Sequence, residues 1–273
     1  LLGAMNDRGD WWAYFSPLCG ERMPSPMQIP QCHSSCCVAN GPRGLLTVPY
    51  WAIMADESGL VINLYINGEW DHYLPDGTRV NIVQNSGYPV KGKSEIIISP
   101  EKETRFTLSL RIPEWSKQSV ITINEASLEA DREGDLKIIR EWKKGDKIAI
   151  IFDMRGRLIP SPGSVNDLAV MHGPVVLALD NRMVKSANYN LWLYPNETQW
   201  QHKDELGGLD YVLPEPVNKE KKIEYIDLKP VKNKPEEVWM AFEVPFLYRY
   251  THFFGHEVKH LVMCDYASAG NRY

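Results

Sequence analysis

The sequence predicts a mainly β protein, two antiparallel β-sandwich domains following a short helical tail. Three observations carry that expectation. From about residue 57 onward, short segments of alternating apolar and polar residues recur with turn signals every 8–15 residues, the pattern of an antiparallel sandwich. Residues 1–56 lack that alternation and read as helix ends joined by a proline-broken loop. No apolar run approaches the ~18 residues of a membrane span, and 44% hydrophobic with 24% charged residues is a globular composition.

Taken in order, Leu1-Leu2-Gly3-Ala4-Met5 reads as the last turn of a buried helix, ended by the turn formers Asn6-Asp7-Arg8-Gly9. A helix met at its own end implies residues upstream, so the chain reads as a piece of something longer. Residues 10–35 are irregular, with Trp11, Trp12, Tyr14 and Phe15 ahead of Pro17, Pro24, Pro26 and Pro30; long loops of this kind are often functional. A short helix is expected over residues 40–55, capped by Asn40, with Pro42 in its first turn and ended or kinked by Pro49. Strands are expected at 60–66, 79–84, 95–99, 106–112, 120–123, 136–139 and 147–152. A second block begins near Leu158, with strands at 168–171 and 175–179 flanking His172-Gly173-Pro174. A polar insertion over about 181–222 follows, then strands near 223–228, 238–244 and 258–263.

A net charge of −5 without a basic stripe argues against a nucleic-acid partner. Nine tryptophans and thirteen tyrosines suit both sandwich cores and stacking on sugar rings. Cysteine usage is more pointed. Four of the five cysteines (Cys19, Cys32, Cys36 and Cys37, against the distant Cys264) crowd into the first 37 residues. That is not the spread of a disulfide framework, and it points to metal binding or a reactive thiol. The adjacent pair Cys36-Cys37 can give two thiolates to one zinc ion if the backbone turns sharply. Spacing alone leaves this level with two small buried side chains that happen to be neighbours.

Several landmarks in order make the pattern specific. Cys36-Cys37-x-x-Asn40-x-x-Arg43 resembles the motif of the β-L-arabinofuranosidase-type glycoside hydrolases, family 127 and its close relatives. Leu2-Gly3-Ala4, Asp10-Trp11-Trp12-Ala13-Tyr14 and Pro17-Leu18 resemble the stretch before it. Asn63-Leu64-Tyr65-Ile66, Gln84-x-x-x-Tyr88-Pro89, Leu110-Arg111-Ile112-Pro113-x-Trp115, Arg140-x-Trp142-x-x-Gly145-Asp146 and His172-Gly173-Pro174 resemble the stretches after it. The resemblance covers roughly residues 1–180.

It implies the C-terminal portion of a retaining exo-glycosidase. Residues 1–56 would be the tail of an (α/α)6 catalytic barrel with its Cys-Cys loop, 57–156 the first sandwich and 157–273 the second. Cys36 would be the nucleophile, and Cys36 and Cys37 would ligate zinc. The acid/base Glu and the remaining ligands would lie in the upstream barrel, so no residue of this chain is the acid/base. The implied partners are that barrel and a carbohydrate, the arabinofuranosyl side chains of plant polysaccharides or glycoproteins. Neither a nucleic acid nor a membrane is among them, and the setting is the cytoplasm or periplasm of a bacterium. Cys32, His33 and Trp12 are candidate substrate contacts. Val38-Ala39 stand where the arabinofuranosidases usually have prolines, which bears on sugar specificity.

Other candidates weigh less. Glu21 and Asp10 read as solvated loop carboxylates and Arg43 as an anchor. His252, His256 and His260 have helical i, i+4 spacing, but Phe253-Phe254-Gly255 between them favours strand or loop. Asn196-Glu197-Thr198 matches a glycosylation acceptor. Two further classes stay open: a non-catalytic carbohydrate-binding or structural sandwich module, and a purely structural zinc site.

Overall fold

The computed structural model describes residues 2–6, 8–13, 22, 36–128, 134–160, 168–180, 182–183, 209–211, 224–249 and 256–270. The chain forms two compact units, one of Arg43–Met154 and one of Leu1–Pro42 with Arg155–Tyr273.

Helix α1 (Cys36–Ala52) begins four residues before the expected start. Asn40 is therefore interior rather than a cap. Pro49 does not end the helix: it sits in the last turn, where it removes only one donor, and its own carbonyl accepts the Trp70 indole N–H at 2.9 Å. The helix stops because β1 (Ile53–Asp56) folds back on β2 (Gly59–Ile62). Asp56 Oδ1 makes that turn by accepting the N–H groups of Ser58 and Gly59 at 2.8 and 3.0 Å. Residues 53–55, expected as helix, are thus strand, with Ile53 buried opposite Ile62.

The same unit continues with β3 (Gly68–Tyr73), β4 (Arg79–Ser86), β5 (Lys93–Pro100), β6 (Thr104–Arg111), β7 (Val120–Ile123), β8 (Ala126–Ser127), β9 (Asp135–Trp142) and β10 (Asp146–Ile151). A four-stranded sheet, β1-β2-β6-β9, shares one core with a six-stranded sheet, β3-β4-β5-β10-β7-β8. Alternate residues of each strand enter that core: Leu60 and Ile62, Leu108 and Leu110, Ile82, Ile96, Ile98 and Ile148. The expected sandwich is present. One pairing departs from the antiparallel rule, because β2 runs parallel to β6.

The second unit carries β11 (Gly156–Pro160), β12 (Leu168–His172), β13 (Val175–Leu179), β14 (Leu209–Tyr211), β15 (Glu224–Ile226), β16 (Lys229–Pro230), β17 (Ala241–Arg249) and β18 (His256–Asp265). These form one eight-stranded antiparallel sheet, ordered β14-β17-β18-β13-β12-β11-β15, with β16 on β17. Period-2 alternation separates its faces. The register partners Phe242 and Met263 join one apolar cluster, and their neighbours Ala241 and Cys264 join another. His256 and His260 lie on β18, a strand as expected. His252, Asn196 and most of the polar insertion lie outside the described residues.

Candidate active site

The N-terminal stretch is built around Asn6. Its Oδ1 accepts the N–H groups of Asp10 and Trp11 at 3.0 and 3.3 Å, and its carbonyl accepts that of Gly9, whose φ of +71° closes the turn. Asp10 therefore serves the turn, with Arg8 paired to it at 3.3 Å. The chain then doubles back: Met5 bridges Trp12, and Ala13 donates to the carbonyl of Ala4 at 2.6 Å. This places Trp12 inside, 4% exposed. Its ring lies against Gly41 of α1 so closely that a Cβ there would stand 2.5 Å from Cε3.

Trp12 thus packs on Gly41 of α1, and its replacement tests that contact. Trp12→Ala is expected to cost about 3 kcal/mol, as buried aromatic truncations do, and to show as a lowered melting temperature. A ring that served chiefly to contact sugar would instead raise KM and leave the melt unchanged.

Cys36 and Cys37 are the first two residues of the 17-residue α1, and no acidic residue occupies its first turn. Two thiolate donors suit zinc in kind, and they are fewer than the four ligands of a closed site. No group of three or more metal-binding side chains occurs among the described residues. Cys19, Glu21, Cys32 and His33 lie outside the described residues.

Most of the sequence landmarks turn out to hold the sandwich together. Tyr65 Oη donates to the carbonyl of Arg111 at 3.0 Å, and Arg111 Nε donates to that of Asn63 at 2.6 Å. Gln84 Nε2 donates to the carbonyl of Leu64 at 3.1 Å. Tyr88 stacks on Trp115, with rings 6° from parallel and centroids 6.4 Å apart. The fully buried Trp142 donates its indole N–H to the carbonyl of Phe106 at 3.2 Å. Burial pushes the Tyr65 phenol far above its ordinary pKa, so it stays neutral.

Sequence reasoning missed Arg22. It is 3% exposed, yet it stands in a proline-rich loop with no periodicity to mark it.

A β-sandwich preceded by a helix that opens on two cysteines defines the class of fold. The particular kinship rests on comparison. Residues 59–154 match the family model described as β-L-arabinofuranosidase, GH127 middle domain. The expected resemblance to glycoside hydrolase family 127 is thus met over residues 59–154, which are similar to that family's middle domain.

Solved structures show the same fold. A GH127 β-L-arabinofuranosidase from Geobacillus stearothermophilus T6 is 21% identical with a TM-score of 0.69, over 99% of this chain and 42% of that one. A glycoside hydrolase is 22% identical with a TM-score of 0.74, over 100% and 44% of the respective chains. A GH127 β-arabinofuranosidase is 19% identical with a TM-score of 0.68, over 100% and 42%. The chain thus spans less than half the length of the structures it matches. No match was found among curated proteins. No helix among the described residues is long and apolar enough to cross a membrane.

Proposed function

We propose that this chain is the C-terminal part of a retaining glycoside hydrolase that removes terminal L-arabinofuranosyl or similar sugars, with Cys36 as its nucleophile. The observation that carries this is the placement of Cys36-Cys37 at the start of α1, directly ahead of a domain matching the GH127 family model. Cys36 and Cys37 would hold the zinc ion, which would keep their thiols deprotonated at neutral pH. The Cys36 thiolate attacks the anomeric carbon as the bond to the leaving oxygen breaks, and a carboxylic acid of the upstream barrel protonates that oxygen. Water then displaces the cysteine and gives its proton to the same carboxylate. Cys32 and His33, just before the pair in sequence, are assigned to the sugar side, and Trp12 packs on Gly41 of α1.

The helical barrel is the partner this reading requires, and the surface of α1 supports it. Leu46 and Tyr50, one turn apart, are 73% and 80% exposed, with Trp51 and Met54 beside them. An apolar face of this kind is normally covered. The double substitution Leu46→Lys/Tyr50→Lys is expected to reduce self-association of the 273-residue chain without lowering its melting temperature. In a protein that includes the barrel, the same pair is expected to lower it.

Metal analysis and activity test the whole proposal. The 273-residue chain alone is expected to show negligible turnover of an aryl β-L-arabinofuranoside, because its acid/base lies in the barrel. Turnover by this chain alone, abolished by Cys36→Ser, would overturn that division of labour. Metal-free protein that keeps sugar affinity points instead to a carbohydrate-binding module.

A further inference from the structure

We infer that β9 is a pairing edge for a second copy of this chain, the two β9 strands lying antiparallel about a two-fold axis at Ile139. The inference concerns the first β-sandwich alone and does not depend on the role of Cys36.

An open sheet leaves a row of unpaired main-chain groups along each edge, and folded proteins keep such edges short or guard them with charge. Among its described residues the first sandwich has four edge strands, β1 and β9 on one sheet and β3 and β8 on the other. β1, β3 and β8 have four, six and two residues, whereas β9 has eight. β9 pairs with β6 on one side, and no strand among the described residues pairs with its other side. Its face away from the core carries Asp135, Lys137, Ile139 and Glu141, all exposed. Ile139, at 60% exposed, is a large apolar side chain left in water. Within its own sheet Lys137 stands opposite Ser109, and Glu141 opposite Arg105. Neither Lys137 nor Glu141 forms an ion pair among the described residues.

The order of these side chains fits a copy of itself. Residues directly opposite each other in an antiparallel pair share a face, and a two-fold axis makes each contact occur twice. With the axis at Ile139, Lys137 of each copy faces Glu141 of the other, and the two Ile139 side chains meet at the centre. Opposite charges and β-branched apolar pairs are favourable cross-strand neighbours. Asp135 faces Lys143, just past the strand, which already holds Glu103 at 3.2 Å and so adds less. Neighbouring registers lose this match. An axis at Lys137 or at Glu141 sets that charge against itself. An axis at Ile138 sets Asp135 against Glu141, and one at Arg140 sets Lys137 against Lys143. Like charges directly opposite each other are destabilising, so the charges on β9 admit one register and refuse its neighbours.

Analytical ultracentrifugation of the 273-residue chain tests this, on the Leu46→Lys/Tyr50→Lys background that suppresses association through α1. A dimer is expected, weakened by added salt because its charged pairs are exposed. Lys137→Glu and Glu141→Lys are each expected to raise the dimer Kd about 10-fold or more, since each places two like-charged pairs in the interface. The double reversal Lys137→Glu/Glu141→Lys exchanges the two charges and should return Kd to within about threefold of its starting value. Ile139→Lys should weaken the dimer as the single reversals do. Amide exchange in β9 should slow as the concentration of the unreversed chain rises, and should not do so in Lys137→Glu. A chain that stays monomeric into the millimolar range overturns the inference, whether its β9 amides exchange freely, as on a guarded edge, or slowly, as under a covering segment of the same chain. A dimer indifferent to both single reversals also overturns it, because it then uses another surface. Should a variant fail to fold, the concentration dependence of β9 exchange in the unreversed chain decides.

Discussion

Cys36→Ser in the full-length enzyme is expected to lower turnover by roughly 1000-fold or more, the scale seen when a catalytic nucleophile is removed, while both β units stay folded. The reason is protonation. A thiol at a helix N-terminus is readily held as thiolate, whereas a serine hydroxyl in the same place remains protonated and a poor nucleophile. Cys36 opens α1, and no acidic residue occupies the first turn of that helix. Cys37→Ser is expected to behave differently, reducing zinc affinity first and turnover in proportion to the zinc lost. Excess zinc should then recover part of the activity of Cys37→Ser and none of that of Cys36→Ser. Mass spectrometry of quenched enzyme adds a direct readout: a pentosyl adduct on Cys36 supports the assignment, and wild-type turnover by Cys36→Ser ends it.

How much of this was legible differs between the two halves of the problem. The sandwich strands were readable because their burial alternates with period 2, as in β4 and β5, and that period survives in sequence. What periodicity does not encode is the partner. The parallel pairing of β2 with β6 is set by long-range packing of Leu60 and Ile62 against Leu108 and Leu110. The start of α1 was hidden for a local reason: two cysteines carry no capping signal, whereas Asn40 and Pro42 carry a strong but misleading one. Residues 53–55 looked helical because they prolong an apolar run. Only the Asp56-Glu57-Ser58-Gly59 turn, read as structure, reverses the chain there. On the side of the site, the cysteine pair was visible as composition and gained meaning from ordered landmarks. Those landmarks proved to be framework residues such as Tyr65, Arg111 and Trp142. The anchor at Arg22 carries no pattern at all, since its partners are main-chain carbonyls more than 240 residues away.

Gly59→Ala is expected to cost about 3 kcal/mol or more, far beyond an ordinary surface change. Gly59 has φ of +151°, outside the range L side chains favour, and it pairs with Thr107 in the parallel β2–β6 ladder. A Cβ would stand 2.0 Å from the Thr107 carbonyl oxygen. That oxygen has little freedom to retreat. Thr107 donates its N–H to Ser58 at 3.1 Å and pairs with Ile139 of β9 on its other side, so β6 is held from both edges. Relief therefore requires the β1–β2 hairpin to move off β6, which uncovers Leu60 and Ile62. Gly77→Ala is the matched control: its φ of +82° is also left-handed, but nothing lies within 4 Å of the added carbon, and about 1 kcal/mol is expected. Thermal melts of the two variants should differ by roughly 10 °C, and equal melts would mean that β2 and β6 are not paired as described. The consequence reaches the end of α1. The Ala52 carbonyl at its end accepts the N–H groups of Asn63 and Leu64 just beyond β2, at 2.9 and 3.1 Å. Shifting β2 therefore frees the C-terminal end of α1, and a glycine in the hairpin becomes a determinant of how that helix ends.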